Sequence, residues 1–263
     1  MLLSLCLLLG CSSSEELPPG DSDNGGLFLP DGFEALVVSD STGHARHLAV
    51  NTNGDIYVKL SSHDRERGGI VALRDTTGDG KADIRVRFGG QDDRRTSYGT
   101  AMTIHNGYLY FSSALNLYRV KLDDNLVPSA EPEVVLTDDH DHGIHWHITK
   151  PVAFDNKGNM YIPFGAPSNS CQDISQTPNG RPGGAGLDPW PELELHGGIW
   201  KFDASRIGQT QSDGVMMATG LRSIVGMQWN SDDDNLYAVV HGRDNLHSLF
   251  PNRFTAWQNA VLP

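Results

Sequence analysis

Four of the eleven histidines of this chain crowd into one stretch, Asp138 to His147, as His140, His142, His145 and His147 among Asp138, Asp139 and Asp141. In an extended strand, residues two apart share a face, so His145 and His147 could address one site together. Two such imidazoles beside a carboxylate form a zinc-binding pattern, whereas in a solvated loop the same residues would be ordinary polar surface. His147 stands apart because it directly precedes an apolar run, Pro151 to Phe154, that reads as a first strand. Imidazole titrates near neutrality, so one held at a strand mouth suits general-base work.

Arg222 occupies a similar position. The run Gly220-Leu221-Arg222-Ser223 leads into Ile224 to Trp229 much as His147 leads into its own strand. A guanidinium there could stabilise developing negative charge, or simply tie loops together. The acidic stretch Asp75 to Asp83 has the look of a calcium loop. However, Thr77 falls where Asp or Asn is wanted and Val86 where the bidentate Glu should lie. An acidic turn between two strands is the better reading. Neither a phosphate-binding glycine fingerprint nor a Gly-x-Ser-x-Gly elbow occurs in a fitting context.

The elements that must position these residues repeat along the chain. Four segments pair an apolar strand with a polar turn and a Tyr-bearing strand: His47 to Val58, Ala101 to Phe111, Pro151 to Ile162 and Val225 to Val240. Their alternation around Gly, Asn and Asp turns predicts β-hairpins. Third strands are expected at Gly69 to Asp75, Asn116 to Asp123 and Gly198 to Asp203. Fourth strands are expected at Ile84 to Phe88, Pro132 to Leu136 and Val215 to Ala218. The first three Tyr anchors, Tyr57, Tyr110 and Tyr161, lie about 50 residues apart, close to the period of a propeller blade. The interval to Tyr237 is longer because a Gly- and Pro-rich insertion, Gly165 to His196, interrupts the third repeat. The expected fold is all-β, a propeller with about three and a half four-stranded blades in 30–263. Such a set leaves sheet edges open, so a C-terminally truncated ring is expected.

Composition agrees with an exported globular protein. Apolar residues make up 38%, with 29 Gly and 14 Pro, and the formal net charge is -13. That charge repels phosphate backbones and argues against nucleic-acid binding. Met1 to Leu9 is almost wholly apolar but too short to span a bilayer. Leu8-Leu9-Gly10-Cys11 resembles a bacterial lipobox, which implies a signal peptide over 1–11 and a lipid anchor on Cys11. Residues 12–29 would then be a flexible tether at the periplasmic or outer face of a membrane. Cys171 would be the one cysteine of the exported part outside the anchor, lacking a partner in this chain.

In combination these motifs resemble the glucose/sorbosone dehydrogenase family of quinoproteins, particularly its sorbosone dehydrogenase branch. Gly220 to Trp229 is similar to the family's Gly-x-Arg-Asn-x-x-Gly-Leu motif, and His147 to Gly158 to its catalytic-histidine strand. Gly242-Arg243-Asp244 with Leu246 and Phe254 to Ala256 looks like the sorbosone branch. The resemblance implies a six-bladed β-propeller that binds pyrroloquinoline quinone and Ca2+ and oxidises a sugar, passing electrons to a haem protein or a membrane quinone. It implies His147 as the base, Arg222 polarising the quinone oxygens, Ser223 and His241 as cofactor contacts, and backbone carbonyls of Gly242 and Arg243 on calcium. The family's cofactor-clamping Lys and Arg come from later blades, so this chain alone is expected to be inactive. Two other readings stand beside it. One is a non-catalytic, membrane-tethered binding propeller; the other is a calcium-dependent propeller lactonase, which needs converging carboxylates.

Overall fold

The computed structural model describes residues 18–61, 68–89, 101–139, 147–169, 171 and 186–243. The lipobox with Cys11, the histidines at 140, 142 and 145, and everything beyond Arg243 lie outside the described residues.

Fifteen strands appear among these residues, and the only helical pieces are single 3-10 turns. The first sheet is an antiparallel meander of β1 (Ala45–Val50), β2 (Ile56–Leu60), β3 (Ile70–Arg74) and β4 (Ile84–Phe88). The second repeats it with β5 (Met102–His105), β6 (Tyr108–Ser112), β7 (Asn116–Lys121) and β8 (Glu133–Thr137). The third holds β9 (Ala153–Phe154), β10 (Asn159–Phe164), β11 (Gly198–Asp203) and β13 (Val215–Thr219). A two-stranded sheet of β14 (Ile224–Asn230) and β15 (Asn235–Val240) follows. The sequence does not announce β12 (Gln209–Thr210), which leaves the third repeat to pair in parallel with β8 through Gln209↔Leu136 and Thr210↔Thr137. It staples the second sheet to the third.

Turn chemistry sets the hairpins. Asn106 and Gly107, with φ of 48° and 77°, supply the two left-handed residues of a tight hairpin. The β14–β15 turn has no glycine, and Asp234 takes the left-handed position at φ 59°. An Asp adopts that conformation more readily than most non-glycine residues.

The core lies between successive sheets. Tyr57, Ile70 and Ala72 of the first pack on Leu109, Phe111 and Val120 of the second. The other face of the second sheet, through Tyr110, Leu117 and Leu136, meets Met160, Ile162 and Phe202 of the third. Tyr161 and Ile199 meet Ile224, Trp229 and Leu236 beyond. Each such side chain contributes about 1.5–3 kcal/mol when taken fully out of water. Tyr57, Tyr110 and Tyr161 therefore each face the next sheet in order. Two of them also satisfy their hydroxyls: Tyr57 donates to Leu126 O at 3.1 Å and Tyr161 to Asp155 Oδ2 at 2.9 Å. Burial pushes both phenols up to about 12. Tyr237 and Val239 on β15, like Leu48 and Val50 on β1, remain exposed.

Residues from Gly20 onward lie against the outer edge of the first sheet. Ala82 N donates to Val38 O, the Arg85 guanidinium to the carbonyls of Asp40 and Ser41, and Lys81 Nζ sits 2.8 Å from Asp21 Oδ1. The Asp75–Asp83 stretch is the β3–β4 turn, and its carboxylates face inward. Asp75 accepts from the amides of Thr77, Gly78 and Gly80, and Asp83 from those of Thr76 and Thr77.

A forked ion pair pins the base of the first sheet: Arg74 Nε and Nη2 donate to the two oxygens of buried Asp55 at 2.6 and 2.7 Å. The Arg74 guanidinium holds the Asp55 carboxyl below its usual range, against the opposing effect of burial. A depressed carboxyl stabilises the fold above its unfolded pKa and loses that contribution as pH falls through the folded value. Asp55→Asn is therefore expected to lower stability near pH 7 and to flatten the pH dependence below about pH 4. Urea unfolding at stepped pH reads this out, and parallel acid limbs in both proteins would contradict it.

Candidate functional site

At the opposite end of the sheets from the hairpin turns, three connections converge on Ala166. β10 ends at Phe164, and Gly165 and Ala166 leave it directly toward His147. His147 Nδ1 lies 2.5 Å from Ala166 O, and Ala166 N donates to Arg222 O at 2.8 Å. Thr149 Oγ1 donates to Ile224 O at 2.6 Å and closes the same junction from below. The two residues singled out by their positions before β9 and β14 are thus brought side by side, joined through one backbone unit.

The contact with Ala166 also sets the chemistry of His147. A carbonyl can only accept, so Nδ1 carries a proton, and in the neutral ring Nε2 then keeps the lone pair. That is the tautomer a base at Nε2 requires. His147 holds φ at 51°, a left-handed backbone uncommon for a residue with a bulky side chain. Glycine at 165 is what lets it sit there. A Cβ on Gly165 would fall 2.2 Å from His147 O and 2.5 Å from its Cβ. Gly165→Ala is expected to cost about 1–3 kcal/mol by overpacking and to displace the His147 imidazole. Gly226→Ala, where nothing lies within 4 Å and φ is not positive, serves as the neutral control. Urea unfolding and the imidazole NMR signals of the two variants test the contrast; equal midpoints would rule it out.

Arg222 Nη1 donates to Gly242 O at 2.8 Å, and His241 N donates to Ser223 O at 2.7 Å. All five residues expected around Arg222 and the β15 end therefore lie at one corner, with Ser223 buried beneath it. Arg222 and Arg243 line a pocket of about 100 Å³ with Ala166, Ser168, Trp190 and the free thiol of Cys171. Ser168 Oγ is buried there without a hydrogen-bond partner among the described residues. Behind this corner, Lys150 Nζ meets Asp138 Oδ2 at 2.6 Å, both side chains almost fully buried, with the ammonium 5.0 Å above the Phe164 ring.

Sequence reasoning missed Ala166, Ser168, Trp190 and the Lys150–Asp138 pair. Ala166 acts through its backbone, which has no side-chain signature. Ser168 and Trp190 lie in the long insertion, the one segment whose length marked it as functional.

No curated protein sequence matches the chain. Among solved structures, it is similar to the holo form of the PQQ domain of pyranose dehydrogenase from Coprinopsis cinerea. Identity is 16%, TM-score 0.59, with 83% of this chain and 48% of that one covered. The calcium structure of a Trichoderma reesei enzyme of carbohydrate-active family AA12 gives 15%, 0.59, 83% and 51%. A putative oxidoreductase (glucose dehydrogenase) of Thermus thermophilus gives 14%, 0.51, 78% and 60%. The chain spans roughly half the length of these structures, and at such identities the likeness carries the fold, a β-propeller. The TrAA12-like family model matches residues 27–255, and over that span the chain belongs to the TrAA12-like family.

Proposed function

We propose that the protein is a quinoprotein oxidoreductase that oxidises a sugar or related alcohol, its chain forming part of a six-bladed propeller. The observation that carries this reading is the Ala166 junction, which holds a correctly tautomerised His147 beside Arg222 in a member of this family. Exposed Leu48 and Val50 at one end and Tyr237 and Val239 at the other are faces of the kind a neighbouring blade covers, which supports a larger ring.

The residues suit an anionic organic cofactor better than a metal. Arg222, Arg243 and the buried Ser168 hydroxyl offer donors to a carboxylate or quinone oxygen. At about 100 Å³ the pocket admits an edge of pyrroloquinoline quinone rather than the whole molecule, and an edge held there would supply a carbonyl able to accept hydride. His147 would take the hydroxyl proton at Nε2, while Ala166 O holds the ring in place. Arg222 would stabilise negative charge on the acceptor oxygens, with Ser223 and His241 shaping the corner below. Calcium on the carbonyls of Gly242 and Arg243 fits less well, because Gly242 O accepts from the Arg222 guanidinium. Two cations would then share one oxygen, so no step is assigned to the metal. The lactonase reading lacks support, since no group of three or more His, Cys, Asp or Glu converges among the described residues.

Anchoring through Cys11 on the outer side of a bacterial membrane, and delivery of electrons to a haem protein or quinone there, complete the proposal. The test is quinone binding by the intact protein, followed by fluorescence with and without Ca2+. Arg222→Ala is expected to weaken affinity about 10- to 100-fold, the worth of a hydrogen bond to a charged group. Absence of binding by the wild type would sink the proposal and leave a non-catalytic, tethered binding propeller.

A further inference from the structure

At the hairpin-turn end of the sheets, a second cavity of about 1200 Å³ opens among the second, third and fourth sheets. β10 separates it from the His147 corner: Asn159 at one end lines the cavity and Phe164 at the other leads to Ala166. At about 3.3 Å per residue the two sites are roughly 17 Å apart. We propose that this cavity is a saccharide-binding groove, distinct from the candidate redox site.

Aromatic rings form its walls. The His105 imidazole stacks on Phe154 with ring centres 4.0 Å apart and planes within 4°. Tyr108 lines the groove with the Arg119 guanidinium 4.5 Å from its centre, and Trp229 lies stacked on buried Tyr161. Between these partly exposed rings sit amides, hydroxyls and charges, most of which are already committed. Asp155 accepts from the amides of Lys157 and Asn159, the Asn159 side chain and the Tyr161 hydroxyl. Asp203 accepts from Ser205, and Asp213 from Thr210 and Arg206. Arg119 is neutralised by Glu133 and Lys157 by Asp234. Asn156, Lys201 and Ser231 line the groove with side chains that make no hydrogen bond among the described residues.

Those three leave an amide, an ammonium and a hydroxyl to offer. One uncommitted cation is too few to hold a polyphosphate on a chain of net charge -13. A wall this polar does not suit a greasy ligand either. A sugar presents dense hydroxyls at its edges for mixed donors and acceptors, and C–H faces for aromatic rings. The volume exceeds the ~300–1,000 Å³ of ordinary small-molecule sites, which favours several linked rings over one.

The test is calorimetric titration of the full chain with cellotetraose, xylotetraose and tetragalacturonate. At least one is expected to bind. The double variant Asn156→Ala/Lys201→Ala, altered only at side chains that make no hydrogen bond among the described residues, should weaken it by about tenfold or more, and so should Tyr108→Leu. Circular dichroism checks that each variant is folded. Arg222→Ala should leave the groove's affinity for the same sugar unchanged, because Arg222 lies before β14 at the Ala166 corner, beyond the far end of β10 from the groove. No binding of any of the three at millimolar ligand would overturn the proposal, as would binding that survives the groove variants and disappears with Arg222→Ala. Failure of quinone binding would leave this result untouched, so the two proposals fail separately.

Discussion

His147→Asn in the intact protein is expected to lower quinone-dependent sugar turnover by about 10²- to 10⁴-fold, the usual worth of a positioned general base. The unfolding midpoint should barely move. Asparagine is chosen because it tolerates the left-handed backbone that His147 holds at φ 51°. Its amide N–H can also replace the Nδ1 donor facing Ala166 O. Fold and junction are thus kept while the basic nitrogen is removed. His147→Ala would confound the two, since it loses the hydrogen bond as well as the base. The loss should appear in kcat more than in KM, because the proton moves only as the substrate reacts. Turnover of the Asn variant within about threefold of wild type would remove His147 from the chemistry and leave it a structural link between two loops.

Strands and their order were legible because their signal is local. Ile84 to Phe88 reads as a strand and is one, residue for residue, and every expected hairpin forms about its expected turn. Alternation of apolar side chains declares which residues must face a neighbouring sheet, and the propeller arrangement gives every sheet a neighbour. β12 was hidden because two residues, Gln209 and Thr210, carry no periodicity, and their partner β8 lies some 70 residues earlier in the chain. The positions of His147 and Arg222 before β9 and β14 were legible as repeat equivalents. That a single backbone unit joins them was not, because it depends on Gly165 having no side chain rather than on any side chain present. The Asp75–Asp83 stretch illustrates the reverse case. Its acidic composition suggests a metal, but a turn full of unpaired amides consumes the carboxylates first.

Lys150 and Asp138 form a deeply buried ion pair at the entrance of the third sheet. The Lys150 side chain is 2% exposed and that of Asp138 6%, at a separation of 2.6 Å. Lys150→Ala is expected to destabilise the protein by about 3–5 kcal/mol, because it removes the ammonium that sits 2.6 Å from a carboxylate held out of water. For a domain whose whole stability is about 5–15 kcal/mol, that is enough to leave a substantial fraction unfolded. The double variant Asp138→Leu/Lys150→Met should recover most of the loss. Removing both charges removes both desolvation costs, and a methionine of similar length can still pack beneath Phe164. Urea unfolding of wild type, Asp138→Leu, Lys150→Met and the double variant completes the cycle, with a coupling of several kcal/mol expected. Because the pair ties the end of β8 to the entrance of β9, the rescued double variant poses a sharper question. If it is as stable as wild type yet His147 is less well placed, the pair is retained for register; if it also retains wild-type turnover, apolar packing alone suffices to hold the junction. Single variants that unfold within about 0.5 kcal/mol of wild type would mean that water reaches Asp138 after all, and the argument from burial would fail.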